Sequence, residues 1–169
     1  TTTMDQDKGL ERRLPQWVPE DQQDQDTPPI KDRNVFVVLI DKENRLMVEG
    51  EICQVGELKE KAKLFLTNPL NAPNLPEKEV REFDIVGNYE VISKSAVISL
   101  RNDVGTMYGA YIEVQNELVA AINELREELS MDKFGKAYAK LSSDEMKVVQ
   151  EIYPQKISEA EPKRIGGAK

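Results

Sequence analysis

The sequence contains no histidine, a single cysteine and no long hydrophobic run. Histidine is the commonest general base and the commonest transition-metal ligand, so an enzyme built from this chain would have to use carboxylates, lysine or tyrosine. Cys53 cannot form an internal disulfide, and we expect it to be a small buried residue at the end of a strand. We therefore predict a protein that is not an enzyme and that needs no cofactor and no metal.

Basic residues are fewer than acidic ones, because the chain has 23 Lys and Arg and 31 Asp and Glu, for a net charge of -8. Such a chain repels nucleic acid and anionic lipid surfaces at long range, so we expect no nucleic-acid partner. The glycine spacing lacks the GxGxxG and GxxxxGK patterns of nucleotide sites. Acidic neighbours such as Asp41 and Glu43 are typical of turns, whereas glycosidase carboxylates face each other across a cleft.

Residues 1–33 are rich in Asp, Gln, Pro and Arg, which predicts an extended, disordered tether. Within this segment Trp17 and Val18 form an isolated apolar pair that either folds back on the domain or contacts a partner. No apolar stretch reaches the ~18 residues that cross a membrane. Because the chain begins Thr-Thr-Thr-Met, we expect a processed protein or a fragment.

The first half of the folded part predicts the order β-β-α. Residues 35–40 form a continuous apolar run, and residues 45–50 return as the second strand of a β-hairpin. An amphipathic helix over residues 58–66 ends before Pro69. Two short β segments, residues 80–86 and 89–92, then predict a second hairpin with its turn at Gly87-Asn88.

The second half predicts a buried strand at residues 96–100 and one long amphipathic helix. Gly105 and Gly109 fit a tight connection between them. Apolar residues then recur at helical spacing, so one stripe of the helix faces the sheet; these are Tyr111, Val114, Leu118, Ile122, Leu125 and Leu129. Phe134-Gly135 predicts the end of this helix, and Ser142 to Glu145 predict the capped start of a third. The fold class is therefore α+β, with a small mixed sheet, two principal helices on one face and an extra C-terminal helix.

Residues 155–160 predict a weak final strand with few strongly apolar side chains. Such a strand either accepts an added strand from a partner through its backbone or simply pairs inside the domain. Its residues are candidates for partner binding: Gln155, Lys156, Ile157, Ser158, Glu159 and Ala160. We place the domain at residues 34–161 and a polar tail at residues 162–169.

Three separated segments resemble one known family. They are RNVFVVLIDKENRLMVEGE, AVISLRNDVGTMYGAYIEVQNELVAAINELREEL and YPQKISEAEPKRI. Together with the element order and the tether, they resemble the periplasmic domain of the ExbD/TolR biopolymer transport proteins, in the ExbD form of the Bacteroides group. The resemblance covers roughly residues 34–163.

The resemblance implies a subunit of a motor that is driven by the proton motive force in the Gram-negative inner membrane. Such a subunit is a single-pass protein whose membrane helix, with its proton-carrying aspartate, would precede Thr1. Its implied partners are an ExbB-like pentamer, a TonB-like protein and a second copy in a homodimer, with peptidoglycan as a further possibility. The alternatives are a TolR-like role in envelope maintenance and a free periplasmic peptidoglycan-binding module.

Members of this family also carry a short extended motif after the membrane helix, which ends in Leu-Pro and engages TonB. Leu14-Pro15 matches the end of that motif, and Leu10 matches one of its alternating apolar positions. Arg12 and Arg13 depart from the pattern. The resemblance thus adds Leu10, Leu14 and Pro15 to the candidate partner-binding residues.

Overall fold

The computed structural model describes residues 29–159 and 164–165. Three α-helices are present in this part of the chain: α1 at Val55–Thr67, α2 at Tyr108–Phe134 and α3 at Ser143–Ile152. The strands, in chain order from β1 to β9, are Ile30–Lys31, Val35–Ile40, Leu46–Val48, Glu51–Ile52, Lys78–Phe83, Gly87–Ile92, Val97–Asn102, Ile157–Ser158 and Arg164–Ile165.

Five strands form one mixed sheet in the order β4-β3-β2-β7-β8. Its centre is the parallel pair β2 and β7, in register from Val35 opposite Val97 to Ile40 opposite Asn102. β3 returns antiparallel to β2, and β8 adds parallel to the outer side of β7. The predicted α+β class, the first hairpin and the buried central strands are confirmed.

Helices α1 and α2 cover one face of this sheet. The parallel strands need a crossover that returns over the sheet, and α1 lies within that crossover. Between the helices Lys59 and Lys63 lie 2.5 and 3.1 Å from the carboxylate of Glu124. The buried residues beneath them form what we call the sheet core: Phe36, Val38, Ile40, Leu46, Val48, Cys53, Leu58, Ala62, Phe65, Ala96, Ile98, Leu100, Tyr111, Val114, Leu118 and Ala121.

The C-terminal half of α2 packs on different partners, α3 and the separate β5–β6 hairpin. The buried residues that these elements share form what we call the hairpin core: Phe83, Val91, Leu129, Leu141, Val148, Val149 and Ile152. The predicted turn at Gly87-Asn88 is wrong, because Phe83 pairs with Gly87 and the turn occupies residues 84–86. This register keeps Phe83 and Val91 buried, and Ile85 takes the left-handed φ of 67° with its side chain exposed.

The end of α2 and the start of α3 follow local sequence signals, whereas the start of α2 differs from the prediction. Gly105 adopts a φ of 96° in the turn before α2, but Gly109 lies inside the first turn of α2 and not in the connection. Gly135 ends α2 in the left-handed conformation, as predicted. Ser142 and Glu145 form a reciprocal capping box at the start of α3.

The two ends of the described chain meet in a small second pairing. β1 pairs in parallel with β9, with Ile30 opposite Arg164. Both strands lie outside the predicted domain bounds of residues 34–161. β1 precedes residue 34, and β9 lies within the predicted tail at residues 162–169. In the described part of the chain, no helix is long and apolar enough to cross a membrane.

Candidate functional site

The final strand lies at an edge of the five-stranded sheet but is shorter than predicted. β8 covers only Ile157–Ser158, two of the six residues predicted. After α3, the Lys156 N–H turns back to the Pro154 carbonyl at 3.1 Å, so the chain becomes extended only beyond this turn. Ala160, and the tether residues Leu10, Leu14 and Pro15, lie outside the described residues.

Pairing inside the domain uses one side of this strand. The N–H of Ile98 donates to the carbonyl of Lys156 at 3.0 Å, and Ile98 lies directly opposite Ile157. In a parallel ladder the backbone groups of alternate residues point to the same neighbour. The N–H and carbonyl of Ile157 therefore point to the outer edge of the sheet, while its half-buried side chain packs on the sheet core.

The residues that follow β8 are held by one side-chain contact. The hydroxyl of Tyr111, near the start of α2, donates to the carboxylate of Glu159. Burial raises the pKa of Tyr111 above its ordinary value, and the bond to Glu159 raises it further. Tyr111 therefore keeps its proton and serves as a donor that anchors the exposed Glu159 beside the sheet. Its predicted place in the core is also confirmed, with Tyr108 stacked on it at a centroid distance of 6.5 Å.

A partly open cavity of about 250 Å³ lies next to this segment. Six elements contribute its walls: α1, the β5–β6 hairpin, β7, α2, the end of α3 and the turn before β8. Its apolar lining consists of Leu66, Ile92, Ala96, Val97, Ile98, Ile122, Ile152, Tyr153 and Pro154. Sequence reasoning missed this cavity, because residues that line it are far apart in the chain and carry no shared motif.

The same cavity carries more positive than negative charge. Arg81, Lys94 and Lys156 line it, and Glu151 is the one acidic residue among the described lining. The Lys156 ammonium donates to the carbonyl of Lys94. Although Lys156 is exposed as a residue, desolvation of its ammonium lowers its pKa, and the charge of Arg81 lowers it further. Arg81 itself has Glu79 at 3.0 Å from its Nε, a contact without hydrogen-bond geometry.

Acidic neighbours elsewhere have structural partners. The Asp41 carboxylate accepts from the backbone N–H of Arg45 and Glu43 at 2.8 and 2.9 Å, and Arg45 pairs with both acidic side chains. The backbone bond from Arg45 is the main reason why the pKa of Asp41 is lowered. Within residues 29–159 and 164–165, no three His, Cys, Asp or Glu side chains are grouped to hold a metal ion.

Cys53 is buried at the end of β4, as predicted. Its thiol donates to the Gln54 carbonyl at 3.3 Å. Desolvation by burial raises the pKa of the thiol, which keeps it protonated and weakly nucleophilic at neutral pH. Its place in the sheet core is that of a small apolar residue.

Comparison of the chain with protein-family models, with curated proteins and with solved structures returns no match. The resemblance to the ExbD/TolR proteins therefore depends on the three sequence segments alone.

Proposed function

We propose that this chain is the periplasmic domain of an ExbD-like subunit, which couples a proton-driven inner-membrane motor to a TonB-like protein. In this proposal a membrane helix ahead of Thr1 binds an ExbB-like pentamer and residues 1–33 carry motion to the folded domain. The domain is non-catalytic and acts as a homodimer. It engages its partner by strand addition, with Leu10, Leu14 and Pro15 of the tether as further contacts.

The observation that carries the proposal is the edge position of β8. The backbone N–H and carbonyl of Ile157 point away from β7, and such groups can pair with an extended peptide. The strand is short and flanked by polar residues, which is how natural proteins limit uncontrolled pairing at an edge.

The positions of the three family-like segments in the fold support the same proposal. The first forms β2 and β3, the second forms β7 and most of α2, and the third begins at Tyr153 and includes β8. They are separated in sequence, yet β3, β2, β7 and β8 are consecutive neighbours in one sheet. A shared edge and its supporting core would account for a resemblance confined to these segments.

The test is an NMR titration of the isotopically labelled chain with the periplasmic linker peptide of TonB from the same organism. Shifts confined to the amides of residues 8–18 and 153–161 would support coupling by strand addition. No shifts with this peptide, together with shifts on adding soluble peptidoglycan fragments, would replace the proposal with a TolR-like or free cell-wall-binding function.

A backbone variant sharpens this titration. Ile157→Pro removes the outward N–H, so peptide binding should weaken by about fivefold while the domain stays folded, because one hydrogen bond contributes about 1 kcal/mol. Ile157→Val is the matched control, since it keeps the N–H and a β-branched side chain. Equal peptide affinity for the two variants, with both folded by circular dichroism, would show that β8 does not accept a strand.

A further inference from the structure

The cavity beside Lys156 combines an apolar interior with positive charge at its margin. Its volume of about 250 Å³ exceeds the ~150 Å³ of apolar cavities that bind benzene, so it can accommodate one aromatic side chain. Arg81 and Lys156 are close enough for one charge to disfavour the other. An anionic group beside them would relieve this repulsion, so the cavity suits an aromatic or apolar residue that is followed by acidic residues.

The chain itself contains such a segment. Trp17 is the only tryptophan, and Val18 follows it in an otherwise polar stretch. Residues 18–29 then include four acidic residues and no basic residue; the acidic ones are Glu20, Asp21, Asp24 and Asp26. The whole chain is acidic, so an acidic segment is repelled by most of the surface and attracted to the few places where cations dominate.

The segment can also reach the cavity. Lys31 lies 2.5 Å from the carboxylate of Glu77, and the backbone carbonyl of Glu77 accepts from the N–H of Ser93 at 2.7 Å. Ser93 lines the cavity, so the chain joins the domain close beside it. Pro29 follows Trp17 by twelve residues, which span up to roughly 40 Å when extended. A linker of this length gives a local concentration on the order of millimolar, so a weak contact is enough for docking.

We propose that Trp17 and Val18 dock into this cavity in the same molecule, with Glu20 and Asp21 facing Lys156 and Arg81. The inference is independent of the partner proposed above, because it requires only the cavity and the chain's own N-terminal segment.

Tryptophan fluorescence of the full chain tests the proposal directly, because Trp17 is the only tryptophan. The expected result is an emission maximum at shorter wavelength than in the urea-unfolded chain, protection from acrylamide and no change on dilution. Emission equal to that of the unfolded chain would overturn the proposal. Loss of the blue shift on dilution would overturn it too, by assigning the contact to a second copy.

Charge variants identify the site. Lys156→Glu should lower the docked fraction several-fold, which returns the emission toward that of an exposed indole. Lys42→Glu makes the same charge change in the exposed turn after β2, at the opposite end of the β2–β7 pair from the cavity residues Ala96 and Val97, and should leave the spectrum unchanged. Adding Glu20→Lys to Lys156→Glu should restore docking, because it reverses the pair with residue 156 and leaves Asp21 to face Arg81. A blue shift that is insensitive to Lys156→Glu, in a variant folded by circular dichroism, would mean that Trp17 packs elsewhere.

Discussion

The two halves of α2 pack on two different cores, which differ in how their strands are paired. Its N-terminal half packs on the sheet core, where β2 and β7 pair over six residues and Val38, Leu58 and Leu118 are completely buried. Its C-terminal half packs on the hairpin core, where β5 and β6 pair only with each other. Much of the hairpin core's margin consists of half-buried aromatic side chains; these are Tyr89, Phe134, Tyr138 and Tyr153.

This difference explains where the candidate sites lie. The sheet core is held from several sides by paired strands and two helices, so it can hold β8 in a fixed register at its edge. The hairpin core is attached through α1, α2, α3 and loops, and the cavity lies along the boundary between the two cores, lined by Ile122 of α2 and Ile92 of β6. The proposed strand-addition site at β8 is thus held by the paired strands of the sheet. The cavity, in contrast, forms where the two cores pack imperfectly against each other.

The largest expected difference between the two cores comes from making the same Leu→Ala substitution once in each of them. Leu118 and Leu129 lie on the same helix, at 0% and 4% exposure. We expect Leu118→Ala to destabilise the chain by about 4 kcal/mol, because the paired strands around it cannot collapse into the space. Leu129→Ala should cost about 2–3 kcal/mol, since the hairpin can move inward.

Urea unfolding followed by circular dichroism measures both values. Both variants replace a leucine by alanine on the same helix. The contributions of helix propensity and of side-chain transfer to the free energy of unfolding therefore cancel when the two losses are subtracted, which leaves the cost of the cavity. Equal losses, or a larger loss for Leu129→Ala, would mean that the hairpin core is as rigid as the sheet core.

A second prediction concerns the loop that joins the two regions. Asn68 is fully buried at the end of α1, where its Nδ2 donates to the Pro76 carbonyl at 2.8 Å and its Oδ1 accepts from the Ala72 N–H at 2.7 Å. Asn68→Ala leaves these groups unpaired and strains the left-handed φ of 41°, so we expect a loss of about 3 kcal/mol.

Asn68→Gly separates the two causes. Glycine tolerates the left-handed φ, so this variant should recover about 1 kcal/mol while the side-chain bonds stay broken. Hydrogen exchange should show faster opening of β5 and β6 than of β2 and β7 in both variants. Uniform acceleration across all four strands would contradict the separation of the two cores.

Much of this fold could be predicted from sequence, for a physical reason. A strand buried on both faces reads as a continuous apolar run, and an amphipathic helix repeats its apolar residues at helical spacing, so both signals are local. Residues 35–40 and the stripe along α2 were therefore predicted correctly. The capping box at Ser142 and the break at Gly135 are equally local.

The rest depends on contacts that no local pattern records. The turn of the second hairpin was misplaced because Gly87-Asn88 is a favourable turn pair, whereas the burial of Phe83 and Val91 sets the register. The candidate strand at residues 155–160 is short because of the turn after Pro154. The cavity arises where six elements meet, and the sequence pattern within each of them is that of an ordinary core element.

A substitution with a smaller expected effect measures how much the cap of α3 contributes to the stability of the hairpin core. Ser142→Ala removes the acceptor for the Glu145 N–H, at 3.2 Å, and breaks the capping box. We expect a loss of about 1 kcal/mol. Ser143→Ala is the control, because this exposed residue is the first of the helix and has no capping bond in the structure. If the two variants unfold at the same urea concentration, the cap is not coupled to the hairpin core.

The smallest expected effect lies in the sheet region and depends on pH. Asp41 has a folded-state pKa below its ordinary value of 3.8, because the Arg45 N–H and guanidinium hold the carboxylate. A lowered folded-state pKa gives stability that is present above the unfolded pKa and is lost as the pH falls from about 4 through the folded value. Arg45 is largely exposed, so water screens the pair and the effect should be smaller than that of the cap.

Asp41→Asn removes the titrating group and keeps an oxygen that can accept from the backbone. Its urea midpoint should therefore fall less steeply than that of the unmodified chain between pH 4 and pH 2, while other paired carboxylates such as Glu124 still titrate. The turn at Asp41 is also where Thr106, just before α2, donates to the carbonyls of Ile40 and Asp41. Acid should thus loosen the end of the sheet core next to α2, and amide protection at the Asp41 turn that falls equally at pH 3 in the unmodified chain and in Asp41→Asn would refute this.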